Sequence, residues 1–238
     1  MNQPYSREMA ESSASEEQDD LVERLYNHLS TSEFDNNSRK FMPEGVLDCI
    51  IKRKSILEAM DIENPNADDD QLVKFILENA KKIFATSVSI KLKLLQRAML
   101  LFKENNIHDG KLPFDDTPDS ILASLEPSVG RHRQKKIWTP STIHNFCSDQ
   151  WKFLTPVFST DSKTDIDKYD LPISTIIPFI EKHADFEKGS FGKVSKYEIH
   201  PNHIKDPLRP VRQDRGGSLN YEVVPDFDRG SRVLQSLP

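Results

Sequence analysis

From Asp70 to Asn105 the chain twice sets apolar residues at helical spacing, and this pattern most narrows what it can fold into. Leu72, Phe75, Ile76, Leu77, Ala80, Ile83 and Phe84 would line one face of a helix from about Asp70 to Thr86. Ile90, Leu92, Leu94, Leu95, Met99, Leu101 and Phe102 repeat the pattern over Val88 to Asn105. Side chains at that spacing share one stripe, and the stripe gains most of its stability by being buried. Two in succession predict an antiparallel helix pair, stopped by Asn105, Asn106 and Gly110.

Shorter helices are predicted on both sides. Leu21, Val22, Leu25, Tyr26 and Leu29 have helical spacing, with acidic residues just upstream where the helix dipole favours them. Pro43 precedes a second helix carrying Val46, Leu47, Ile50, Ile51, Ile56, Leu57 and Met60. Asp61 to Asp70 is rich in breakers. It lacks the Gly at the sixth position and the Glu at the twelfth of a calcium loop, so its acidic run is read as capping the next helix. Pro118 to Leu125 is another short helix. Ser141 or Thr142 would cap one reaching Trp151, ended by Pro156. The aromatic run from Trp138 to Phe158 suits the cover of an interdomain seam.

Composition bounds the rest. A net charge of −6 and a hydrophobic share of 36% argue against a nucleic-acid binder and for one medium core with solvated tails. The basic run Gly130 to Lys136 is the local exception, read as a solvated loop. No apolar run approaches the ~18–20 residues a bilayer requires. The acidic, Ser-rich start does not have the form of a signal peptide. A cytoplasmic or nuclear protein is expected, without membrane or disulfide partner. Cys49 and Cys147 are read as buried, reduced thiols, and the seven scattered histidines as solvated.

One run carries chemistry. Gly189-Ser190-Phe191-Gly192-Lys193-Val194 lies between an apolar segment (Ile176, Ile177, Phe179, Ile180) and the alternation Val194, Tyr197, Ile199. A hairpin folded over a triphosphate must bring main-chain N–H groups to the oxygens, so its nearest positions cannot carry Cβ atoms. Gly189 and Gly192 meet that need. Phe191 at the tip would shield phosphates from water, and Val194 would cover a purine face. A tight hairpin that merely needs glycine is the plainer reading.

This stretch resembles the glycine-rich loop and first two strands of the eukaryotic protein kinase domain. Gly189 to Ile204, with its IHPNHI ending, is similar to fungal serine/threonine kinase-like proteins. Phe41 to Ile51, Lys81 to Thr86 and Trp151 to Phe158 resemble the helical extension that precedes the kinase domain there. The resemblance implies ATP and Mg²⁺ as cofactors, Ser/Thr phosphorylation as the activity, and Gly189, Ser190, Phe191, Gly192 and Val194 as nucleotide-binding residues. The expected fold is mainly α. A disordered acidic tail (1–20) and a helical region (21–158) are followed by a linker (159–175). A short β hairpin from the start of a kinase-like N-lobe (176–204) comes next, and then a disordered tail (205–238).

The departures are equally specific. Glu187 occupies the first glycine of the G-x-G-x-x-G-x-V pattern. Beyond it stands one lysine after His203, Lys205, followed at once by Asp206 and Pro207, with no V-A-I-K strand. No H-R-D loop and no D-F-G segment occurs; Asp185-Phe186-Glu187 and Asp226-Phe227-Asp228 lack the glycine. Phosphoryl transfer rests on positioned lysine, base and Mg²⁺. The expectation is therefore a truncated, inactive kinase-like chain, or one whose reading leaves the family after His203. The alternative is a helical protein–protein interaction module over Leu21 to Leu125.

Overall fold

The computed structural model describes residues 20–34, 38–125, 136–159, 168–182, 186–189, 192–194, 197–205, 221–226 and 231–236. Helices dominate the first two thirds: α1 (Leu21–Asn27), α2 (Val46–Ile50), α3 (Arg53–Ala59), α4 (Ala67–Asn79), α5 (Lys81–Ser89), α6 (Leu95–Glu104), α7 (Ile121–Ser124) and α8 (Pro140–Asp149). Short 3₁₀ turns cover Asp109–Lys111, Gln150–Phe153 and Pro201–His203.

The long stripes are divided. The expected helix from Asp70 to Thr86 is α4 and α5, separated at Ala80, whose φ of −141° leaves the helical region. α4 starts earlier than expected. Asn66 accepts from Asp68 and Asp69 N–H, and the Asp69 carboxylate accepts from Asn66 N–H in return. This reciprocal cap assigns the breaker-rich loop its purpose. The expected helix from Val88 to Asn105 breaks too, because Lys91 and Leu94 have left-handed φ values of 51° and 59°. Likewise α2 and α3 split at Ile51 and Lys52, where Ser55 Oγ accepts from Lys52 N–H and donates to Ile50 O. The cap of α8 is Thr139, not Ser141 or Thr142, because Pro140 takes the first helical position, where its missing N–H costs nothing.

These helices enclose one core. Phe102, Phe114, Trp138 and Phe146 meet at centroid separations of 5.5–6.5 Å at its centre. Leu72, Ile76, Ile83 and Phe84 from the two halves of the first stripe are fully buried around them. Burying such side chains contributes roughly 1.5–3 kcal/mol each. The stripes mark the buried face even where their helices are broken, except at Leu94, which is exposed because its left-handed φ of 59° turns it out ahead of α6.

Among the described residues, short strands accompany the helices: β1 (Ser30–Thr31), β2 (Lys40–Phe41), β3 (Phe158–Ser159), β4 (Lys168–Pro172), β5 (Phe179–Lys182), β6 (Phe186–Gly189), β7 (Gly192–Val194), β8 (Tyr197–Ile199), β9 (Ile204–Lys205), β10 (Tyr221–Asp226) and β11 (Ser231–Ser236). β1 pairs with β2, β5 with β8 and β6 with β7, all antiparallel, and β3 pairs with β9 in parallel. β10, β11 and β4 form a three-stranded antiparallel sheet in the order β10–β11–β4. Disorder is expected over 205–238 and a linker over 159–175. β10 and β11 fall within the first and β4 within the second. The Gly- and Pro-rich composition of 206–217 masked the β-branched Val223, Val224 and Val233 that follow. The acidic tail over 1–19 and the basic run over 130–135 lie outside the described residues.

Candidate functional site

The run Gly189–Val194 sits on one long interrupted hairpin. Its register passes from Phe179 opposite Ile199, through Lys182 opposite Tyr197 and Phe186 opposite Val194, to Gly189 opposite Gly192. Two residues, Ser190 and Phe191, join the last pair; they lie outside the described residues, as do the side-chain placements of Gly192–Val194. Between Lys182 opposite Tyr197 and Phe186 opposite Val194 the register shifts by one residue, and within the described strands it slips twice, at Ile180 and at Glu187, each left without an opposite number. Such slips strengthen the local twist of a two-stranded ribbon. The second occurs at the position that breaks the glycine pattern.

The base of the hairpin has its own small core. Phe179 and Tyr197 stack at 4.7 Å, and Phe34 packs edge-on to Phe179 at 5.5 Å. Phe158, Ile177 and Ile199 complete it, all fully buried. This cluster shares no residue with the helical core.

Polar bonds sew the two together. Ser32 Oγ donates to Ile177 O at 2.6 Å and Glu33 N to Phe179 O at 2.7 Å. Arg39 donates from both terminal nitrogens to the carbonyls of Ser174 and Thr175, at 2.9 and 3.1 Å. The β1–β2 ribbon of the helical region thus clasps the chain entering the hairpin. At the exit, Asn202 Nδ2 donates to Glu44 O at 3.0 Å, and His203 lies between Pro156 O and Glu44 N.

Two readings of single residues are corrected. His203 is fully buried and His200 is half-buried, not solvated, because Pro201 opens a 3₁₀ turn that carries His203 against Phe41. Cys49 is exposed, since it points away from the face that α2 buries through Leu47 and Ile50. Cys147 is buried as expected, and desolvation, then Asp116 and Asp115, push its thiol up to about 12. At that value it is no nucleophile near neutral pH. Both cysteines are free.

Elsewhere the helical region offers little room for a small ligand. A cleft of about 120 Å³ beside Met42, Glu44, Asp48, Lys81 and Asp109 and an open one of about 250 Å³ beside Ile90, His144 and Asp149 both fall short of the ~300 Å³ at which ligand pockets begin. In the first, Lys81 pairs with Asp48, and Asp109 caps α5. Among the described residues there is no group of three or more His, Cys, Asp or Glu side chains that could hold a metal, and no helix long and apolar enough to cross a membrane. The chain matches no family model, no curated protein and no solved structure.

Proposed function

We propose that this chain carries the phosphate-approaching hairpin of a kinase-like N-lobe on a helical base, and that these 238 residues alone do not transfer phosphate. The observation that supports the reading is the pairing of Gly189 with Gly192 across a two-residue tip, on strands whose sequence follows the G-x-F-G-x-V pattern. Two positions without Cβ atoms on facing strands leave the main-chain N–H groups open to an anion. ATP with Mg²⁺ is the ligand this chemistry suits. Gly189 and Gly192 would admit the phosphates, Ser190 and Phe191 would close over them, and Val194 would lie against the base.

What the chain lacks sets the limit. No lysine strand follows to hold the α- and β-phosphates, and no catalytic aspartate or metal-binding D-F-G occurs in the sequence. Glu187 adds a penalty. A carboxylate about 6 Å from a phosphate charge costs about 3 kcal/mol at the effective dielectric of a protein surface. That is about a hundredfold in affinity.

Isothermal titration with ATP and Mg²⁺ tests this. The expected dissociation constant is on the order of millimolar, and Glu187→Gly tightens it by up to about a hundredfold. No phosphate should reach a Ser/Thr peptide. Tight binding by the natural chain, or turnover, would contradict the proposal.

A further inference from the structure

Burial of His203 is complete, yet the imidazole is bonded on both edges. Nδ1 stands 2.9 Å from Pro156 O, and Nε2 stands 3.2 Å from Glu44 N. A carbonyl oxygen can only accept and a backbone N–H can only donate. The ring that satisfies both is therefore neutral, with its proton on Nδ1. A second proton, on Nε2, would meet the Glu44 N–H head on and remove an acceptor from a buried donor.

The same ring is a mechanical joint. Glu44 and Phe41 belong to the helical region, Pro156 to the strap leaving it, and His203 to the turn that follows β8. Phe41 packs edge-on to both His203 and His200, at 5.3 and 5.8 Å. His200 shapes the turn by accepting from Asn202 N at 3.2 Å. Asn202 in turn donates to Glu44 O.

We infer that His203 is a proton-operated latch: the neutral ring pins the base of the glycine-bearing hairpin to the helical region, and protonation releases it. The titratable and charged groups facing the ring are few. Glu44 favours a proton on it, as do the carbonyls of Pro156 and Met42, while His200, 5.9 Å away, opposes one. Burial outweighs these and holds His203 below the ordinary histidine value. Burial lowers His200 as well. The direction of the response follows. The released ring binds a proton more readily than the latched one. The latch therefore holds fully above the ordinary histidine value and weakens as pH falls through it towards the lower latched value. The proton that His203 takes up on release contributes up to about tenfold per pH unit, and His200, lowered likewise, adds its own share where the turn opens with the latch. The inference does not depend on whether the hairpin binds a nucleotide.

Amide hydrogen exchange on the full chain, between about pH 7.5 and about pH 5.5, tests it, with Ile83 and Phe84 in α5 as the internal reference. Protection at Glu44 and over Tyr197–Ile199 should fall relative to α5, by up to about tenfold per pH unit for each of His203 and His200 that takes up a proton. His203→Gln offers a donor and an acceptor without a titratable nitrogen, and should retain protection with only the share of His200 left in its pH response. His200→Asn removes only the share of His200 and should keep the fall that His203 causes. An unchanged ratio in the natural chain would overturn the latch, as would the same fall in His203→Gln. Should His203→Gln not fold, the His203 Cε1–H resonance of the natural chain decides. Titration below the ordinary value, in step with loss of Glu44 protection, supports the latch; protonation that leaves Glu44 protected refutes it.

Discussion

Asp109 shows how a single side chain can decide where a helix begins. Its carboxylate accepts from Lys82 N at 2.9 Å and from Ile83 N at 3.0 Å, satisfying two otherwise orphaned donors at the start of α5. Half-buried, it is held above the usual carboxylate value by desolvation, although both N–H bonds pull the other way. A raised folded value means this group stabilises most below its unfolded value, and that contribution is lost as pH rises through the folded one. At neutral pH the cap is thus kept at some electrostatic cost. Asp109→Ala should lower stability by about 1–2 kcal/mol in urea unfolding near neutral pH, since two N–H groups lose their acceptor. Asp109→Asn, with one oxygen, should lose less, and its stability should not share the decline with rising pH. A loss in Asp109→Ala below about 0.5 kcal/mol would show that water replaces the cap. Nothing near Ala80 announces this break, because the capping residue lies 27 and 26 positions beyond Lys82 and Ile83, whose N–H groups it accepts. The run of apolar residues was legible, and its interruption was not.

Three helices end by one device. After α3, α5 and α6 the chain turns through Asp61, Lys91 and Asn106, with φ of 57°, 51° and 52°. In each case the following N–H reaches back across the last turn: Ile62 to Leu57 O, Leu92 to Ser87 O and Ile107 to Phe102 O. The turn residue bonds as well, to Glu58, Val88 and Lys103 carbonyls. These are Schellman endings without glycine. Asp and Asn tolerate the left-handed region better than other side chains, and Lys does not share that tolerance. The breaker-rich run from Asp61 and the pair Asn105–Asn106 were therefore legible as stops, while the ending at Lys91 was not. Lys91 is exposed and its side chain contributes no core packing. Lys91→Gly should raise stability by about 0.5–1 kcal/mol, read from the urea midpoint, because relief of left-handed strain exceeds the entropy glycine adds to the unfolded chain. A loss instead would mean the turn is not strained in Lys.

At the scale of the molecule, a helical core and a small aromatic core around a hairpin are stitched along one seam. The mainly α character and a hairpin ending at Gly189 and Gly192 could be read locally, from stripe spacing and from glycines that flank a two-residue tip. The seam could not. Ser32 meets Ile177 across 145 positions, and Glu44 meets His203 across 159. Such contacts leave no periodic trace in a single sequence. His203 was visible only as part of the IHPNHI run, without a reason for it. Phe158 marks the same limit: the aromatic run was read as seam cover, and this residue does enter the hairpin's core.

The account turns on whether the main-chain amides between Gly189 and Gly192 meet phosphate oxygens. The direct measurement follows backbone amide resonances of the full chain while ATP with Mg²⁺ is added to about 10 mM, with Gly192→Val as the comparison. The largest shifts should fall between Glu187 and Val194, and Gly192→Val should abolish them while the resonances of α5 and α8 stay in place. Shifts confined to the helical region, or none at the hairpin, would contradict the account.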